Sequence, residues 1–135
     1  MSIEPAGLLD TSVFIARERE RTLGLLPERV AISVVTIGEL TLGVLSARGT
    51  PLSAQRGDTL ALAKAADPIP ISESIMGTWA RLVLDCRAAG VHRTVKLTDA
   101  LIAATALDLG LPVVTQDHDY DQMARAHPDL RVLKV

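Results

Sequence analysis

Short apolar runs alternate along this chain with longer segments in which apolar residues recur at helical spacing. The short runs have the length of buried strands, and the longer segments are typical of helices with one apolar face. The pattern predicts strands over 7–9, 30–32, 68–71, 112–114 and 131–135. It predicts helices over 11–18, 22–26, 50–66, 72–89, 99–109 and 120–126, and one that starts at Ser33 or Thr36 and ends near Ala47. Strands separated by helices indicate one α/β domain over residues 1–135, with a central parallel β-sheet flanked by helices.

Capping residues support several of these helix boundaries. Thr50 precedes a proline, and this pair is a start signal because proline fits the first helical turn. Ser72 and Thr98 are candidate N-caps, and Gly110 follows the last apolar residue of its helix. Residues 91–97 are polar and basic, and we expect them to form a connection rather than a helix.

The composition narrows the classes of function. Aromatic residues make up only 2% of the chain, which argues against folds that stack nucleobases on aromatic side chains. The single cysteine cannot form an internal disulfide, as is typical of a reducing compartment. No apolar run approaches the roughly 18 residues of a spanning helix, and the first residues do not resemble a signal peptide. We therefore expect a cytoplasmic protein without a membrane segment.

Five carboxylates occupy positions where acids are unfavourable, at strand ends, beside helix starts or inside an apolar helix. The carboxyl ends of parallel strands meet at one edge of a sheet, where ligands bind, and helix starts lie there too. Carboxylates brought together there repel one another, and a hard divalent cation with oxygen ligands relieves that repulsion. The pattern therefore predicts a magnesium site formed by Asp10, Glu39, Asp99, Asp117 and Asp119.

Most of these acids also allow an ordinary structural interpretation. Asp10 can cap the helix that begins at Thr11. Glu39 can complete a capping box with Thr36, although its helical neighbours are apolar and an unpaired carboxylate there is costly. Asp99 can simply complement a helix dipole. The hydroxyls of Thr11 and Ser12 can either orient the Asp10 carboxylate or donate to a phosphate.

The net charge of −2 gives no electrostatic argument for nucleic acid, yet 11 of the 14 basic residues are arginines. Arginine has a planar fork that matches phosphate. The cluster from Arg17 to Arg29 alternates with glutamates, so we interpret it as a solvated surface. Arg93 and Lys96 shortly precede Asp99, and we expect them to contact the phosphates of a substrate.

Four motifs that contain these acids follow one another along the chain, at 9–12, 36–40, 98–104 and 114–120. In this ordered set the chain resembles a PIN-domain ribonuclease of the VapC toxin type. The resemblance implies an α/β/α sandwich that holds Mg²⁺, or Mn²⁺ in its place, through three acids and a more variable fourth. By position the three are Asp10, Glu39 and Asp99, with Asp10 and Asp99 as direct ligands. Asp119 ranks ahead of Asp117 as the fourth. Glu39 and the fourth acid would act through water or a second ion, and Thr115 would be a supporting hydroxyl.

The same resemblance implies the toxin of a type II toxin–antitoxin system that cleaves structured RNA, either tRNA or the sarcin–ricin loop of ribosomal RNA. It also implies a homodimer and a cognate VapB-type antitoxin that covers the acidic site. Two alternatives remain open from the residues alone. One is a catalytically silent PIN-like module that binds RNA or protein. The other is a phosphotransfer or aspartyl-phosphatase domain, which needs a lysine near the end of the last strand, where only Lys134 stands.

Overall fold

The computed structural model describes residues 4–135. Its strands are β1 (Ala6–Leu9), β2 (Arg29–Ala31), β3 (Val113–Thr115) and β4 (Val132–Lys134). Its helices are α1 (Thr11–Glu18), α2 (Val34–Leu45), α3 (Thr50–Lys64), α4 (Glu73–Ala88), α5 (Leu97–Leu109) and α6 (Asp119–Ala126). A single 3₁₀ turn, His92–Thr94, joins α4 to α5. Within residues 4–135, no helix is both long and apolar enough to span a membrane.

The strands form one sheet in the order β2-β1-β3-β4, and every pair is parallel. Leu8 and Leu9 of β1 pair with Val113 and Val114 of β3, so the two strands that carry most of the candidate acids are neighbours. A parallel sheet requires crossover connections, and the helices between the strands provide them. The predicted central parallel sheet flanked by helices is confirmed.

Each face of the sheet is covered by its own apolar core because side chains alternate along a strand. Leu8 and Val113 point to one core, whereas Leu9 and Val114 point to the other. Burying each such side chain stabilises the fold by about 1.5–3 kcal/mol relative to exposure. The first core includes Leu82 of α4, Ile102, Ala103 and Ala106 of α5, and Tyr120 and Met123 of α6. The second includes Val13 and Phe14 of α1, Leu40 of α2 and Ala63 of α3.

The predicted strand over 68–71 is wrong. Ile69 makes only an isolated parallel bridge with Ser33, in which the Ile69 N–H donates to Ile32 and its carbonyl accepts from Val34. Prolines at 68 and 70 have no N–H to donate, so pairing cannot extend in either direction. The segment is thus held at the sheet margin without becoming a fifth strand.

The predicted helix over 22–26 is also wrong, because this segment runs without regular secondary structure. Gly24 lies against the backbone of Val135, and a Cβ there would approach the Val135 Cα to 3.3 Å. The side chain of Gln116 donates to the carbonyls of Thr22 and Val135, at 3.0 and 3.1 Å. Contacts with the end of the chain, which sequence spacing does not show, therefore replace the local helical bonds.

Helix caps agree with the sequence in some places and differ in others. Ser33, rather than Thr36, caps α2, and Ser72 caps α4 as predicted. Helix α5 begins at Leu97, so Thr98 lies inside the helix and the N-cap position falls to Lys96. Gly110 ends α5 in the left-handed conformation with φ of 67°, which glycine adopts without steric cost. The earlier start of α5 leaves Asp99 in its first turn.

Candidate active site

The predicted acids line one cavity at the carboxyl edge of the sheet. Asp10 directly follows β1, Asp117 and Asp119 follow β3, and Asp99 lies in the first turn of α5. Glu39 reaches the same place from the middle of α2. The cavity has a volume of about 200 Å³ and is lined by Asp10, Thr11, Ser12, Ile15, Arg21, Glu39, Lys96, Asp99, Asp117 and Asp119. The structure therefore brings together all five acids that the sequence singled out.

Asp10 is buried and is held by hydrogen bonds at both carboxylate oxygens. It also caps α1, since its Oδ2 accepts from the Ser12 N–H at 3.4 Å. The Thr115 hydroxyl donates to the same oxygen at 2.9 Å, and the Tyr120 hydroxyl donates to Oδ1 at 2.8 Å. The capping role and the site role of Asp10 are thus compatible.

Two hydroxyls form a short relay behind Asp10. The Ser12 hydroxyl lies 3.1 Å from Thr115 Oγ1, and because Thr115 donates to Asp10, Ser12 is the donor to Thr115. The N–H groups of Gln116 and Asp117 donate to these same hydroxyl oxygens, each at 3.0 Å. Ser12 and Thr115 therefore fix the carboxylate and also the loop that carries the later acids.

Glu39 is held by Thr11 and does not form the capping box considered from the sequence. The Thr11 hydroxyl donates to Glu39 Oε1 at 2.7 Å and lies 3.1 Å from the hydroxyl of the buried Thr36. Burial raises the pKa of the Glu39 carboxyl, and the charge of Asp10 raises it further, while the bond from Thr11 opposes both effects. Glu39 is therefore oriented into the cavity by a neighbouring helix.

Asp99 shows the strongest electrostatic perturbation among these acids. It is only 8% exposed, and burial together with the charges of Asp10, Asp119 and Glu39 raises its pKa to about 7. Lys96 opposes this shift only weakly because its side chain is 73% exposed. Negative charge in the cavity thus exceeds what the nearby cations compensate.

Asp117 and Asp119 lie at the exposed rim of the cavity. Asp119 Oδ2 is 3.8 Å from Lys96 Nζ, with half of the Asp119 side chain exposed. The pKa of Asp117 is raised by burial of its carboxyl against the cavity and by the charges of Asp10 and Asp119. Lys96 and Arg21 lower it.

Arg21 is a cavity residue that the sequence interpretation missed. Helix α1 ends in a Schellman motif, in which the Arg21 N–H donates to the Ala16 carbonyl at 2.8 Å and the Glu20 N–H donates to Arg17. Glu20 occupies the left-handed position with φ of 55°, where glycine is usual. After this turn Arg21 lines the cavity, as Lys96 does. The signal in the sequence was the arginine cluster, which we interpreted as a solvated surface.

The two basic residues expected to contact phosphates, Arg93 and Lys96, differ in position. Lys96 lines the cavity, whereas Arg93 is exposed in the 3₁₀ turn before α5, outside the residues that line it.

Lys134, near the end of the last strand, lies away from the cavity lining. It donates to Asp121 at 2.9 Å and lies 2.8 Å from His118 Nδ1. The phosphotransfer alternative needs a lysine near the end of the last strand that reaches the acids, and Lys134, the lysine at that position, does not line the cavity.

The residues present fit a magnesium ion by their chemistry. Within residues 4–135, no three Asp, Glu, His or Cys side chains approach closely enough to enclose an ion. Magnesium does not need such a cage, because it keeps several waters and binds proteins through one or two carboxylates. The all-oxygen donor set of the cavity, and the repulsion between its acids that helps raise the pKa of Asp99, match that preference.

A second and larger cavity adjoins the acidic one. Its volume is about 370 Å³, and Thr11, Ile15 and Glu39 line both cavities. Its other walls come mainly from α2 and from Arg19 and Arg56, and its lining is predominantly apolar. The acidic cavity therefore opens onto an apolar surface.

Comparison with known proteins places the chain in a family. A sequence model of the PIN domain matches residues 7–126. The chain is 67% identical over 100 residues to ribonuclease VapC8 of Mycobacterium tuberculosis, which covers 74% of this chain and 89% of the relative. It is 46% identical over 123 residues to ribonuclease VapC5 of the same organism, covering 89% and 90%.

A solved structure agrees with these sequence relationships. The crystal structure of a member of the VapBC family of toxin–antitoxin systems, VapBC-5 from M. tuberculosis, aligns with a TM-score of 0.85 and 39% identity. The alignment covers 97% of this chain and 99% of that chain. The chain therefore belongs to the PIN domain family, and within that family to the VapC ribonucleases.

Proposed function

We propose that this chain is the toxin of a type II toxin–antitoxin system and acts as a magnesium-dependent endoribonuclease. The observation that carries the proposal is the single cavity in which Asp10, Glu39, Asp99 and the rim acids converge. Its relatives carry the name ribonuclease, and enzymes of the PIN family are generally metal-dependent. These similarities support the assignment of the cavity as the catalytic site.

Asp10 and Asp99 are the residues that would hold Mg²⁺, and Mn²⁺ would serve in its place. Bound there, the ion would polarise a phosphate oxygen and lower the pKa of an attacking water. Thr115, Ser12 and Tyr120 keep the Asp10 carboxylate in one orientation. Glu39, fixed by Thr11, and Asp119 or Asp117 at the rim complete the donor set through water or a second ion.

The basic residues at the cavity would bind the substrate backbone. Lys96 and Arg21 are both exposed and line the cavity together with the acids. Their charges offset part of the repulsion between phosphate and carboxylates, and the guanidinium of Arg21 can bind phosphate through two N–H groups. Arg93 lies one turn before Lys96 and would contact a more distant phosphate.

Structured RNA, either tRNA or the sarcin–ricin loop of ribosomal RNA, is the proposed substrate. The chain has one Phe, one Trp and one Tyr, and Phe14 and Tyr120 are buried, so stacking on aromatic side chains contributes little to recognition. Trp79 of α4 packs against the first core and does not line the acidic cavity. Recognition would therefore rest on the shape and the phosphates of a folded RNA.

A VapB-type antitoxin is the proposed protein partner, with a homodimer of this chain as the toxin form. The solved relative was crystallised as a member of the VapBC family of toxin–antitoxin systems. Here the apolar cavity beside the acids is bordered by α2, whose Leu42 and Leu45 are 67% and 78% exposed. An antitoxin segment placed on this surface would cover Glu39 and close the acidic cavity.

The test is cleavage of purified tRNA and ribosomal RNA by the purified chain, with Mg²⁺, with Mn²⁺ and with EDTA. We expect discrete products with either metal and none with EDTA. Binding of RNA without cleavage under every condition would identify the catalytically silent module instead. Cleavage that is unchanged in EDTA would refute the metal-dependent mechanism.

A further inference from the structure

Tyr120 is the only tyrosine in the chain, and its ring lies entirely within the first apolar core. It is fully buried near the start of α6. Among the residues of the same core are Leu8 of β1, Ala103 of α5 and Met123 of α6. A buried tyrosine ring has only two side-chain torsions, so this packing fixes the position of its hydroxyl.

The hydroxyl of Tyr120 leaves the core at the acidic cavity. It donates to Asp10 Oδ1 at 2.8 Å and lies 3.5 Å from Asp99 Oδ1. Packing of the core needs only the aromatic ring, and burying a hydroxyl without a partner is costly. The hydroxyl of Tyr120 is therefore explained by its contacts with the two carboxylates. The ordinary pKa of a tyrosine, about 10, already keeps the phenol protonated at physiological pH, so the hydroxyl donates to the carboxylates.

The bond from Tyr120 completes the restraint on Asp10. Thr115 and the Ser12 N–H hold Oδ2, while Tyr120 alone holds Oδ1 among the described residues. The same hydroxyl stands between Asp10 and Asp99, which would otherwise separate under mutual repulsion. Loss of the hydroxyl would leave one end of the Asp10 carboxylate free to rotate and would relax the spacing of the pair.

We propose that Tyr120 is a positioning residue of the metal site, whose hydroxyl sets the orientation of Asp10 and its distance from Asp99. The inference rests on the proposed function, because it assigns Asp10 and Asp99 as the residues that hold the ion. Tyr120 itself does not touch the reacting atoms. Its ring is held by the core, and its hydroxyl in turn holds the two carboxylates in position.

Calorimetric binding of Mn²⁺ to the purified chain tests the proposal without any RNA substrate. The variants are Tyr120→Phe, which removes only the hydroxyl, and Thr105→Val as a matched control. Thr105 is fully buried in α5, and its hydroxyl donates to the Leu101 carbonyl within the same helix. We expect Tyr120→Phe to weaken Mn²⁺ binding by roughly ten- to a hundredfold, as for loss of other groups that orient ligands. Thr105→Val should bind as the wild type does.

The outcomes separate the two proposals. Failure of the wild type to bind Mn²⁺ would overturn the metal site and the positioning role together. Wild-type binding with equal or tighter binding by Tyr120→Phe would overturn the positioning role alone. Circular dichroism would verify that the variants are folded.

A second measurement uses the wild-type sequence and so does not depend on a variant folding. Growth on 3-fluorotyrosine labels Tyr120 alone, since the chain contains no other tyrosine. We expect Mg²⁺ to shift this single ¹⁹F resonance and Mn²⁺ to broaden it strongly. A resonance that does not respond to Mn²⁺ concentrations that calorimetry shows to saturate the protein would refute the contact between Tyr120 and the site.

Discussion

The acids of the cavity fall into two groups that differ in how the fold holds them. Asp10 and Asp99 are 3% and 8% exposed, and they share the buried hydroxyl of Tyr120. Asp117 and Asp119 are exposed, and the contact of Asp119 is an ion pair with a lysine whose side chain is 73% exposed. Burying a carboxylate destabilises the fold, so a buried one is typical of sites where its exact position matters. An exposed carboxylate changes stability little and can adjust its position. From this contrast we propose that the inner pair would place the ion and that the rim pair would adjust its binding.

Neutralising one member of the inner pair should give the largest effect. Asp10→Asn and Asp99→Asn each remove a proposed direct ligand while nearly preserving shape. We expect each to reduce magnesium-dependent RNA cleavage by roughly a hundredfold or more, because several kcal/mol of transition-state stabilisation is lost. Expression of the wild type should arrest growth, and expression of these variants should not.

The matched control is Asp58→Asn, since Asp58 is an exposed acid of α3 outside the cavity lining. This variant should cleave RNA and arrest growth as the wild type does. Full toxicity of a soluble Asp99→Asn protein would contradict the assignment of the inner pair.

The rim pair should show a smaller effect that appears mainly in metal dependence. Asp119 and Asp117 stand two residues apart and both line the cavity, so paired substitutions are needed to separate them. We expect Asp119→Ala to raise the magnesium concentration for half-maximal cleavage by roughly ten- to a hundredfold, and Asp117→Ala to raise it less. A larger effect at Asp117 would reverse the ranking, and no effect at either residue would remove the rim from the site.

The inner acids were predictable from sequence because their positions follow from topology. Asp10 comes directly after an apolar strand, and Asp99 opens an apolar helix, so any parallel α/β arrangement directs them toward the same edge. Glu39 was found because an acid inside an apolar helix needs a partner. That partner, Thr11, lies on another helix and was not predictable as a contact.

The features that sequence reasoning missed depend on contacts between distant segments. Arg21 reaches the cavity through a left-handed residue, Glu20, whose conformation is unusual for a non-glycine and leaves no clear pattern. Tyr120 was not predicted as a site residue, because its hydroxyl contact with Asp10 spans 110 residues of sequence. The failed helix over 22–26 has the same cause, since its backbone is bonded by Gln116.

The raised pKa of Asp99 predicts that burial and charge repulsion at the acidic site lower the stability of the metal-free protein. An aspartate in the unfolded chain titrates near 3.8, whereas folded Asp99 titrates at about 7. Between these values the folded state keeps a proton that the unfolded state has released, so this group makes stability fall as the pH rises from about 4 to 7. Well above pH 7 the loss is complete and constant.

Asp99→Asn should therefore stabilise the metal-free protein, although it strongly reduces RNA cleavage. In EDTA at pH 8, we expect a melting temperature at least about 4 °C above that of the wild type, equivalent to roughly 1 kcal/mol. The difference should shrink at pH 5, where wild-type Asp99 is protonated. Thermal unfolding followed by circular dichroism at both pH values measures it. A variant that melts below the wild type at pH 8 would show that the site is not under electrostatic strain.

The basic residues near the rim should produce the smallest effects, since they are exposed and their charges are screened by salt. Lys96 and Arg21 line the cavity and Arg93 does not, which makes Arg93 a natural internal comparison. We expect Arg21→Gln and Lys96→Gln to raise the KM for RNA by about three- to tenfold at low salt, on the order of 1 kcal/mol each, with little change in kcat. The effect should decrease as the salt concentration rises. Arg93→Gln should change KM less than either of these variants. A larger effect at Arg93 would place the RNA backbone along the 3₁₀ turn rather than across the cavity that Arg21 and Lys96 line.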